Sequence, residues 1–467
     1  MVRMRTDRDL HGKLYLQLYQ NIEQDIINGK LKHGDRLPSY RRSTQRFGIS
    51  ISTVKQAYAK LAEMGIVDII QGSGCYVRSV SSKEYFTEQI VIENFEQGQV
   101  LDSPVVNFSS ASPFTPTYPV KEFGGILAEL VDGGPDPAFF AYGHTQGSVF
   151  LRTVLAGYLR EWGITASPED IHVTGGGQQG IDMACKAFRG EPFSVAVENP
   201  GYTVAVNSFL NQRGEIFPIP MREDGADLDV LRRLLTRRRI SLFYLMASYQ
   251  SPTNVCWSDE KKRELLALAG QYDFRILEDD CWAELTYEGE PPLPLKSLDT
   301  EDRVIYIKSF SKILMPGLRA AFVLTPPDMT RRFVTAKFFS DIASPELLQH
   351  CLGLFIERGC LAAHVQWLRG HYRERHIIMK RLIGESGCLR IAHETNGGLC
   401  FWVEMLRPVD SYGFYQDMRH KNIRFLPGNL FSRDGSHGSF LRLSYAVPTE
   451  TEMRHGLELI RAALQPY

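Results

Sequence analysis

The order of apolar and polar positions divides the chain into two differently built parts. Between Lys13 and Gly29 apolar residues recur every four positions, which predicts an amphipathic helix. From about residue 106 onward, short β-branched and aromatic runs alternate with helical patterns. Strand and helix alternation over such a length is typical of a mostly parallel α/β sheet, whose ligands bind beyond the carboxyl ends of the strands.

Turn residues organise the first part further. Gly34 to Ser39 forms a turn that ends in a capping serine and opens a short helix to Phe47. Gly48-Ile49-Ser50 is a second turn with a cap, and it opens a helix that stops at Gly65. Residues 66–70 and 75–78 flank a glycine-rich tip at 71–74, which predicts a two-stranded hairpin. The pattern indicates a helix-turn-helix followed by a wing.

Charge separates the same two parts. The chain has a formal net charge of −1, yet residues 1–78 contain 13 Lys and Arg against 7 Asp and Glu. A basic first piece on a mildly acidic body predicts a polyanionic partner for that piece alone.

The helix, helix-turn-helix and wing, with Gly-Asp-Arg-Leu-Pro-Ser before the second helix, resemble the winged-helix domain of GntR-type bacterial regulators. The resemblance implies that the recognition helix enters the major groove of DNA and that the wing contacts the minor groove. The residues expected to touch DNA are Arg41, Ser50, Ser52, Thr53, Lys55 and Gly72. Ile51 stands where relatives often have arginine, so sequence preference cannot be transferred. A winged helix used for protein contacts is the alternative.

Residues 79–105 are polar and without a sustained period, which predicts a connector that lets the two parts move relative to each other. The expected domains are therefore a DNA-binding domain at 1–78, a linker at 79–105 and a large body at 106–467. Strands are expected at 193–197, 240–246, 274–277, 304–307 and 320–324, and a helix at 258–272.

Three segments of the body carry candidate chemistry. A glycine-rich turn at 174–180 opens a helix, so free backbone amides there could bind an anion, although such turns are purely structural about half of the time. Glu278-Asp279-Asp280 ends a strand, where three adjacent acids need a cation nearby. Lys312 lies between Ser311 and apolar residues on a strand-exit loop. A desolvated lysine can form a Schiff base with an aldehyde.

In this order the three segments resemble the large domain of fold-type I aminotransferases, which use pyridoxal 5'-phosphate (PLP). The resemblance implies Lys312 as the Schiff-base residue and Asp279 as the partner of the ring nitrogen. Tyr202 would stack on the ring, Arg442 would bind a substrate carboxylate, and Tyr142 would reach the phosphate of a partner subunit. The residues implied around the phosphate are Gly176, Gly177, Gln178, Ser309, Ser311 and Arg319.

Three positions depart from that family's pattern. Cys281 stands where a tyrosine commonly bonds the phenolic oxygen of PLP, and Ser251 replaces an asparagine that helps hold the same oxygen. Gly177 lacks the hydroxyl that serine or threonine would offer the phosphate. Each change removes a hydrogen bond of about 1 kcal/mol, so efficient transamination is less expected than in a metabolic enzyme.

With both halves together the chain resembles the MocR/GabR-type subfamily of GntR regulators. The expected function is a transcriptional regulator that binds an operator as a homodimer and senses an amine or amino acid by aldimine exchange at Lys312. An active aminotransferase with an accessory DNA-binding domain is the alternative, and a DNA binder whose body has lost PLP is a third.

No 18-residue apolar span and no signal core are found, which predicts a cytoplasmic protein without a membrane partner. The eight cysteines are scattered, so no metal is expected.

Overall fold

The computed structural model describes residues 14–27, 31, 34–63, 66–70, 72–77, 105–134, 136–188, 193–434 and 436–465. The chain divides into two compact units, Met1–Val100 and Leu101–Tyr467. The predicted connector at 79–105 lies outside the described residues except for Val105.

The first unit is a three-helix winged helix. Its elements are α1 (Leu14–Ile27), α2 (Tyr40–Phe47), α3 (Ile51–Glu63), β1 (Val67–Ile70) and β2 (Gly74–Val77). The apolar stripe of α1 packs on α3, and Leu18, Val54 and Leu61 are fully buried. The helix-turn-helix and hairpin predicted from the turns are confirmed. The sequence did not indicate that the chain before α2 also pairs with the wing, where Arg36 bridges to Tyr76.

The large part of the body is built on an eight-stranded sheet in the order β4-β11-β10-β9-β8-β5-β6-β7. Its strands are β4 (Ile171–Thr174), β5 (Ser194–Asn199), β6 (Glu215–Arg222), β7 (Gly225–Ala226), β8 (Leu242–Leu245), β9 (Arg275–Asp280), β10 (Val304–Ser309) and β11 (Ala321–Leu324). The five central strands run parallel, which confirms the predicted α/β class. The run at 320–324 is the exception, because β11 is antiparallel to both of its neighbours.

Helices surround this sheet, as expected when both faces of a parallel sheet are apolar. They are α4 (Val120–Asp132), α5 (Val149–Glu161), α6 (Gly177–Ala187), α7 (Thr203–Asn211), α8 (Leu228–Leu235), α9 (Asp259–Tyr272), α10 (Thr330–Asp341), α11 (Glu346–Glu357) and α12 (Cys360–Ser386). The predicted start of α9 is confirmed, since the Ser258 side chain accepts a hydrogen bond from the Lys261 N–H.

A smaller antiparallel sheet has the order β12-β13-β16-β15. Its strands are β12 (Leu389–Ile391), β13 (Cys400–Met405), β15 (Leu426–Pro427) and β16 (Phe440–Ser444), with α13 (Ser411–Arg419) and α14 (Glu450–Leu464) beside them. The body's first strand, β3 (Val106–Asn107), pairs in parallel with β14 (Ile423–Arg424). The start of the body therefore joins the smaller, C-terminal part.

Two local expectations need refinement. The strand expected at 274–277 runs on to Asp280, so the acidic triplet Glu278 to Asp280 forms its last three residues. Pro316 and Gly317 do exclude an α-helix after Lys312, yet Pro316–Leu318 forms one short 3-10 turn. Within the described part of the chain, no helix is long and apolar enough to span a bilayer.

Candidate functional site

The candidate site lies where the parallel strands of the large sheet reach their carboxyl ends. Strand β5 leads to Tyr202, β9 ends at Asp279 and Asp280, and β10 leads to the loop that carries Lys312. The pKa of Tyr202 is raised by burial first and then by the nearby Asp279 and Cys281. The structure thus brings together side chains that are far apart in the sequence.

Lys312 is held in place by a hydroxyl. Its Nζ donates a hydrogen bond to Ser112 Oγ over 2.7 Å. Burial lowers the pKa of Lys312 to about 8, and Arg442 and Arg319 act in the same direction. A lysine whose pKa falls toward neutrality exposes more of its unprotonated, nucleophilic amine. Lys312 is thereby suited to attack an aldehyde.

Asp279 points its carboxylate into the site while being 6% exposed. Its Oδ2 accepts a hydrogen bond of 2.8 Å from Tyr244 Oη. Burial raises the pKa of Asp279 to about 6, and the Tyr244 bond works against that rise. A charged Asp279 could hold a protonated ring nitrogen, whose positive charge would in turn favour the ionised carboxylate.

A potential anion site lies at the start of α6. The N–H groups of Gly177 and Gln178 belong to the first helical turn, where they have no acceptor within the helix. Gly176 has φ of 102°, and a Cβ there would collide with the Arg319 guanidinium. Arg319 is oriented by its bond of 2.9 Å to Gly175 O. The close approach of backbone and guanidinium requires glycine at this position.

The remaining residues predicted for the anion site adjoin this turn. Ser309 is buried beside Gly177, and its Oγ accepts a bond of 3.3 Å from the Ser311 N–H. The Gln178 Nε2 donates to Ser208 Oγ at 2.6 Å, and its buried Oε1 has no hydrogen-bond partner within the described part of the chain. The backbone N–H of Gln178 thus remains the group with which it could bind an anion, and this role stays a prediction.

Arg442 is a buried cation whose hydrogen-bond partners among the described residues are all neutral oxygens. Its Nη2 donates to Ser109 O over 2.6 Å, and its Nη1 approaches Ser251 Oγ at 3.5 Å. Its Nε has no partner among the described residues although it is buried, and its guanidinium lies 5.6 Å from the Phe431 ring centroid. Burial lowers the pKa of Arg442. Such a guanidinium is prepared for a bidentate carboxylate.

The two departures at Cys281 and Ser251 lie in this site. Cys281 is partly buried, and burial followed by Asp279 raises its pKa well above the usual range, so it remains a thiol. Ser251 Oγ makes the long contact to Arg442 described above. The weaker hold on the phenolic oxygen of PLP that these two residues imply stays a prediction.

Sequence reasoning missed a network of buried charges beneath the site. Lys308 is fully buried and lies 2.7 Å from Glu284 Oε2 and 3.0 Å from Asp280 Oδ2. Tyr306 donates to Asp280 over 2.7 Å, and Tyr158 donates to Glu284. Lys308 is the cation that the acidic end of β9 was expected to need. A lysine inside the run Val304 to Ser309 was the available signal.

Sequence reasoning also missed Ser112, Ser109 and Tyr244. The two serines belong to a polar stretch without periodicity before the first helix of the body. Tyr244 resembles any other strand residue in an apolar run. No local signal distinguished them.

In the first unit, four of the residues expected to touch DNA lie at the start of α3. Ser50, Ser52 and Lys55 are exposed and Thr53 is half-buried. Ser50 Oγ caps the helix by accepting the Thr53 N–H at 3.1 Å. Arg41 is exposed in the first turn of α2, and Gly72, with φ of 80°, is exposed in the wing. Contact of these residues with DNA stays a prediction, as does the reach of Tyr142, whose side chain is 87% exposed, to a partner subunit.

The site residues fit PLP. Among the described residues, Arg442 has a buried Nε without a partner, which matches a substrate carboxylate. The amide donors at the start of α6 match the phosphate, Asp279 matches the ring nitrogen, and the low-pKa Lys312 matches the aldehyde. Lys312 would hold the aldehyde carbon, Asp279 the ring nitrogen, and Gly177, Gln178, Ser309, Ser311 and Arg319 the phosphate.

Comparison with known proteins assigns a family to each unit. Residues 126–460 match the family model "Aminotransferase class I and II", and residues 14–77 match "Bacterial regulatory proteins, gntR family". The 2-aminoadipate transaminase of Thermus thermophilus is 30% identical over 366 residues, which cover 77% of this chain and 90% of that one. The HTH-type transcriptional regulator YdeL of Bacillus subtilis is 26% identical and covers 98% of both chains. A crystal structure of Pyrococcus horikoshii kynurenine aminotransferase with PMP superposes with a TM-score of 0.75 at 26% identity, over 80% of this chain and 94% of that one.

Proposed function

Because this chain belongs to the class I and II aminotransferase family and carries a GntR-family DNA-binding unit, as MocR/GabR-type regulators do, we propose that it is a PLP-dependent transcriptional regulator. Its winged helix binds a double-stranded operator, and its body binds an amine or amino-acid effector. We place the DNA-binding domain at residues 1–78, the connector at 79–105 and the effector body at 106–467. Full-length similarity to HTH-type regulators supports this over an enzyme with an appendage.

One observation carries the effector part of the proposal. Arg442 is buried without a carboxylate partner among its described contacts, in the same site as the nucleophilic Lys312. A buried guanidinium without an anionic partner costs stability, and an anion of the ligand would remove that cost by pairing with it. PLP, when bound, supplies an electrophilic carbon at which the amino group of an effector can replace that of Lys312. The site therefore favours a ligand that has both an amino group and a carboxylate.

The function needs a difference in affinity between two states of the protein. An effector can change DNA binding only as far as it binds those states unequally. Binding to Arg442 replaces the contacts of that side chain with Ser109 and Ser251, so the ligand changes interactions inside the body. We further propose a homodimer in which Tyr142 contacts the partner's cofactor phosphate. Sedimentation of the full chain would give the mass of two subunits if this is correct.

The test begins with selection of bound duplexes from a random-sequence DNA library by the purified full chain. Affinity for a selected duplex is then measured with PLP alone and with PLP plus each common L-amino acid. At least one amino acid should change the affinity about fivefold or more, and Lys312→Ala should abolish the change. Identical affinity under all conditions would refute the sensor.

A working aminotransferase is the second candidate, because Lys312, Asp279 and Arg442 occupy one site. The thiol of Cys281 and the hydroxyl of Ser251 weigh against it, since both weaken the hold on the phenolic oxygen. Steady-state keto-acid production at about 1 to 1,000 per second would establish the enzyme. Absence of turnover together with an effector response would support the regulator.

A further inference from the structure

The start of the body contacts both residues that the proposed function assigns to the effector. Ser112 Oγ accepts the hydrogen bond of Lys312 Nζ at 2.7 Å. Ser109 O accepts the hydrogen bond of Arg442 Nη2 at 2.6 Å. Residues 106–112, which we name the entry segment, thus reach the amine-binding and the carboxylate-binding ends of the site at once.

The entry segment is attached to the smaller sheet. The Phe108 N–H donates to Arg424 O, and the Ser444 N–H donates to Phe108 O, both at 2.8 Å. The Phe108 side chain is fully buried against Gly456. A Cβ at position 456 would collide with the Phe108 ring. A change at Ser109 or Ser112 therefore acts on a stretch that is fixed to the C-terminal part of the body.

A side chain stiffens the segment between these points. Asn107 Oδ1 accepts bonds from the Ser109 N–H at 2.9 Å, from Ser109 Oγ at 2.7 Å and from the Ser110 N–H at 3.3 Å. These hydrogen bonds close a turn over residues 107–110 and tie Ser109 to the start of the entry segment. Movement at the site would then reach Val106, and the chain before Val106 is the predicted connector to the DNA-binding unit.

We propose that Ser112 is a positioning residue for the Lys312 amine and that the entry segment transmits the state of the effector site to the connector. The inference rests on the proposed function. Lys312 released from the cofactor carries several N–H groups in a poorly solvated place, and one of them bonds the Ser112 acceptor. When Lys312 is attached to the cofactor it has fewer N–H groups, so it no longer requires the hydrogen bond to Ser112. An effector carboxylate likewise competes with Ser109 O for Arg442, since a guanidinium favours a charged, bidentate acceptor.

Two cofactor forms provide the test, because PLP has an aldehyde that Lys312 can attack and pyridoxamine phosphate (PMP) does not. Hydrogen exchange of the amides in 106–112 is measured on the full chain loaded with each form. The wild type should exchange more slowly with PMP than with PLP, since the free amine is then bonded to Ser112. Ser112→Ala should exchange equally in both forms, and Ser112→Thr, which keeps the hydroxyl, should restore the difference.

Ser110→Ala is the matched control, because Ser110 takes part in the turn through its backbone N–H. It should behave as the wild type. Affinity for the selected duplex, measured on the same samples, should differ between the PLP and PMP forms about fivefold or more in the wild type and in Ser110→Ala. In Ser112→Ala the ratio should approach one.

The outcomes separate the two proposals. If the wild type binds DNA equally with every cofactor form and amino acid, the proposed sensor is wrong. If the wild type responds and Ser112→Ala responds equally, the sensor stands and the role of the entry segment is wrong. Equal hydrogen exchange of 106–112 in the PLP and PMP forms of the wild type would also overturn that role.

Discussion

Replacing Lys308 by methionine should destabilise the body strongly. Lys308 is fully buried between Asp280 and Glu284, at 3.0 and 2.7 Å. Methionine fills a similar volume but leaves two buried carboxylates close together. Within the described ranges, each then keeps a tyrosine hydroxyl as its one side-chain donor. Removing one partner of a buried ion pair costs about 3 to 5 kcal/mol.

That cost is large against a typical stability of about 5 to 15 kcal/mol. With a urea m-value of about 3 kcal/mol/M or more for a chain of this size, a loss of about 4 kcal/mol lowers the midpoint by about 1 M. All five tryptophans lie in the body, beginning with Trp162. Tryptophan fluorescence in a urea titration therefore follows unfolding of the body alone.

The pH dependence of the loss gives a sharper test. Burial opposes the charge of Lys308, but Asp280 and Glu284 outweigh burial and raise its pKa. In the wild type, the stability that charged Lys308 contributes is complete below the pKa of an unfolded lysine, about 10.4. It is lost only as pH rises through the raised pKa of Lys308 in the folded state. In the variant, one carboxyl of the folded state should take up a proton that the unfolded chain does not hold. The free energy of unfolding of the variant should therefore be closest to that of the wild type near pH 5 and furthest below it near pH 8.

Lys337→Met serves as the control. Lys337 is equally buried and bonds both oxygens of Asp341 at 2.9 and 2.8 Å, but Asp341 is 26% exposed and can be solvated once the lysine is gone. The loss of stability caused by Lys337→Met should be smaller than that caused by Lys308→Met, and it should be nearly independent of pH between about 5 and 8. Adding Glu284→Gln to Lys308→Met should recover part of the midpoint. A Lys308→Met midpoint within about 0.2 M of the wild type, or a loss that does not grow with pH, would refute the reasoning.

Other substitutions test the two ends of the proposed regulator. Arg442→Gln should weaken amino-acid binding by about 1.5 to 3 kcal/mol in a titration of visible absorbance, and unchanged affinity would remove Arg442 from the carboxylate site. Gly176→Ala should reduce PLP affinity in equilibrium dialysis because it disturbs Arg319, whereas Gly124→Ala, with open space around it, should not. Arg41→Gln and Lys55→Gln should each weaken DNA binding and reduce its salt slope by about 1, and an unaltered slope would argue against phosphate contact.

Much of the fold could be predicted because its signals are local. The caps at Ser39, Ser50 and Ser258 each accept a backbone N–H within three residues, so the residues that start a helix also identify it. The exit loop of Lys312 follows from the apolar run before it and the proline after it. Strand ends were less certain, because β9 continues through three acids whose partners come from elsewhere in the chain. Backbone N–H groups bond Glu278, Tyr244 bonds Asp279, and Lys308 pairs with Asp280.

The sequence by itself determined the two units, their order and the chemical groups of the site, because periodicity, caps and motif residues act within a few positions of one another. The tertiary structure decided which distant groups meet. Lys312 bonds Ser112 and Arg442 bonds Ser109 across separations of 200 and 333 residues. Such pairings arise from the packing of the entry segment against the body, and no local pattern encodes them. Lys312 was evident from its surrounding sequence, but its hydrogen-bond partner was evident only once the chain was folded.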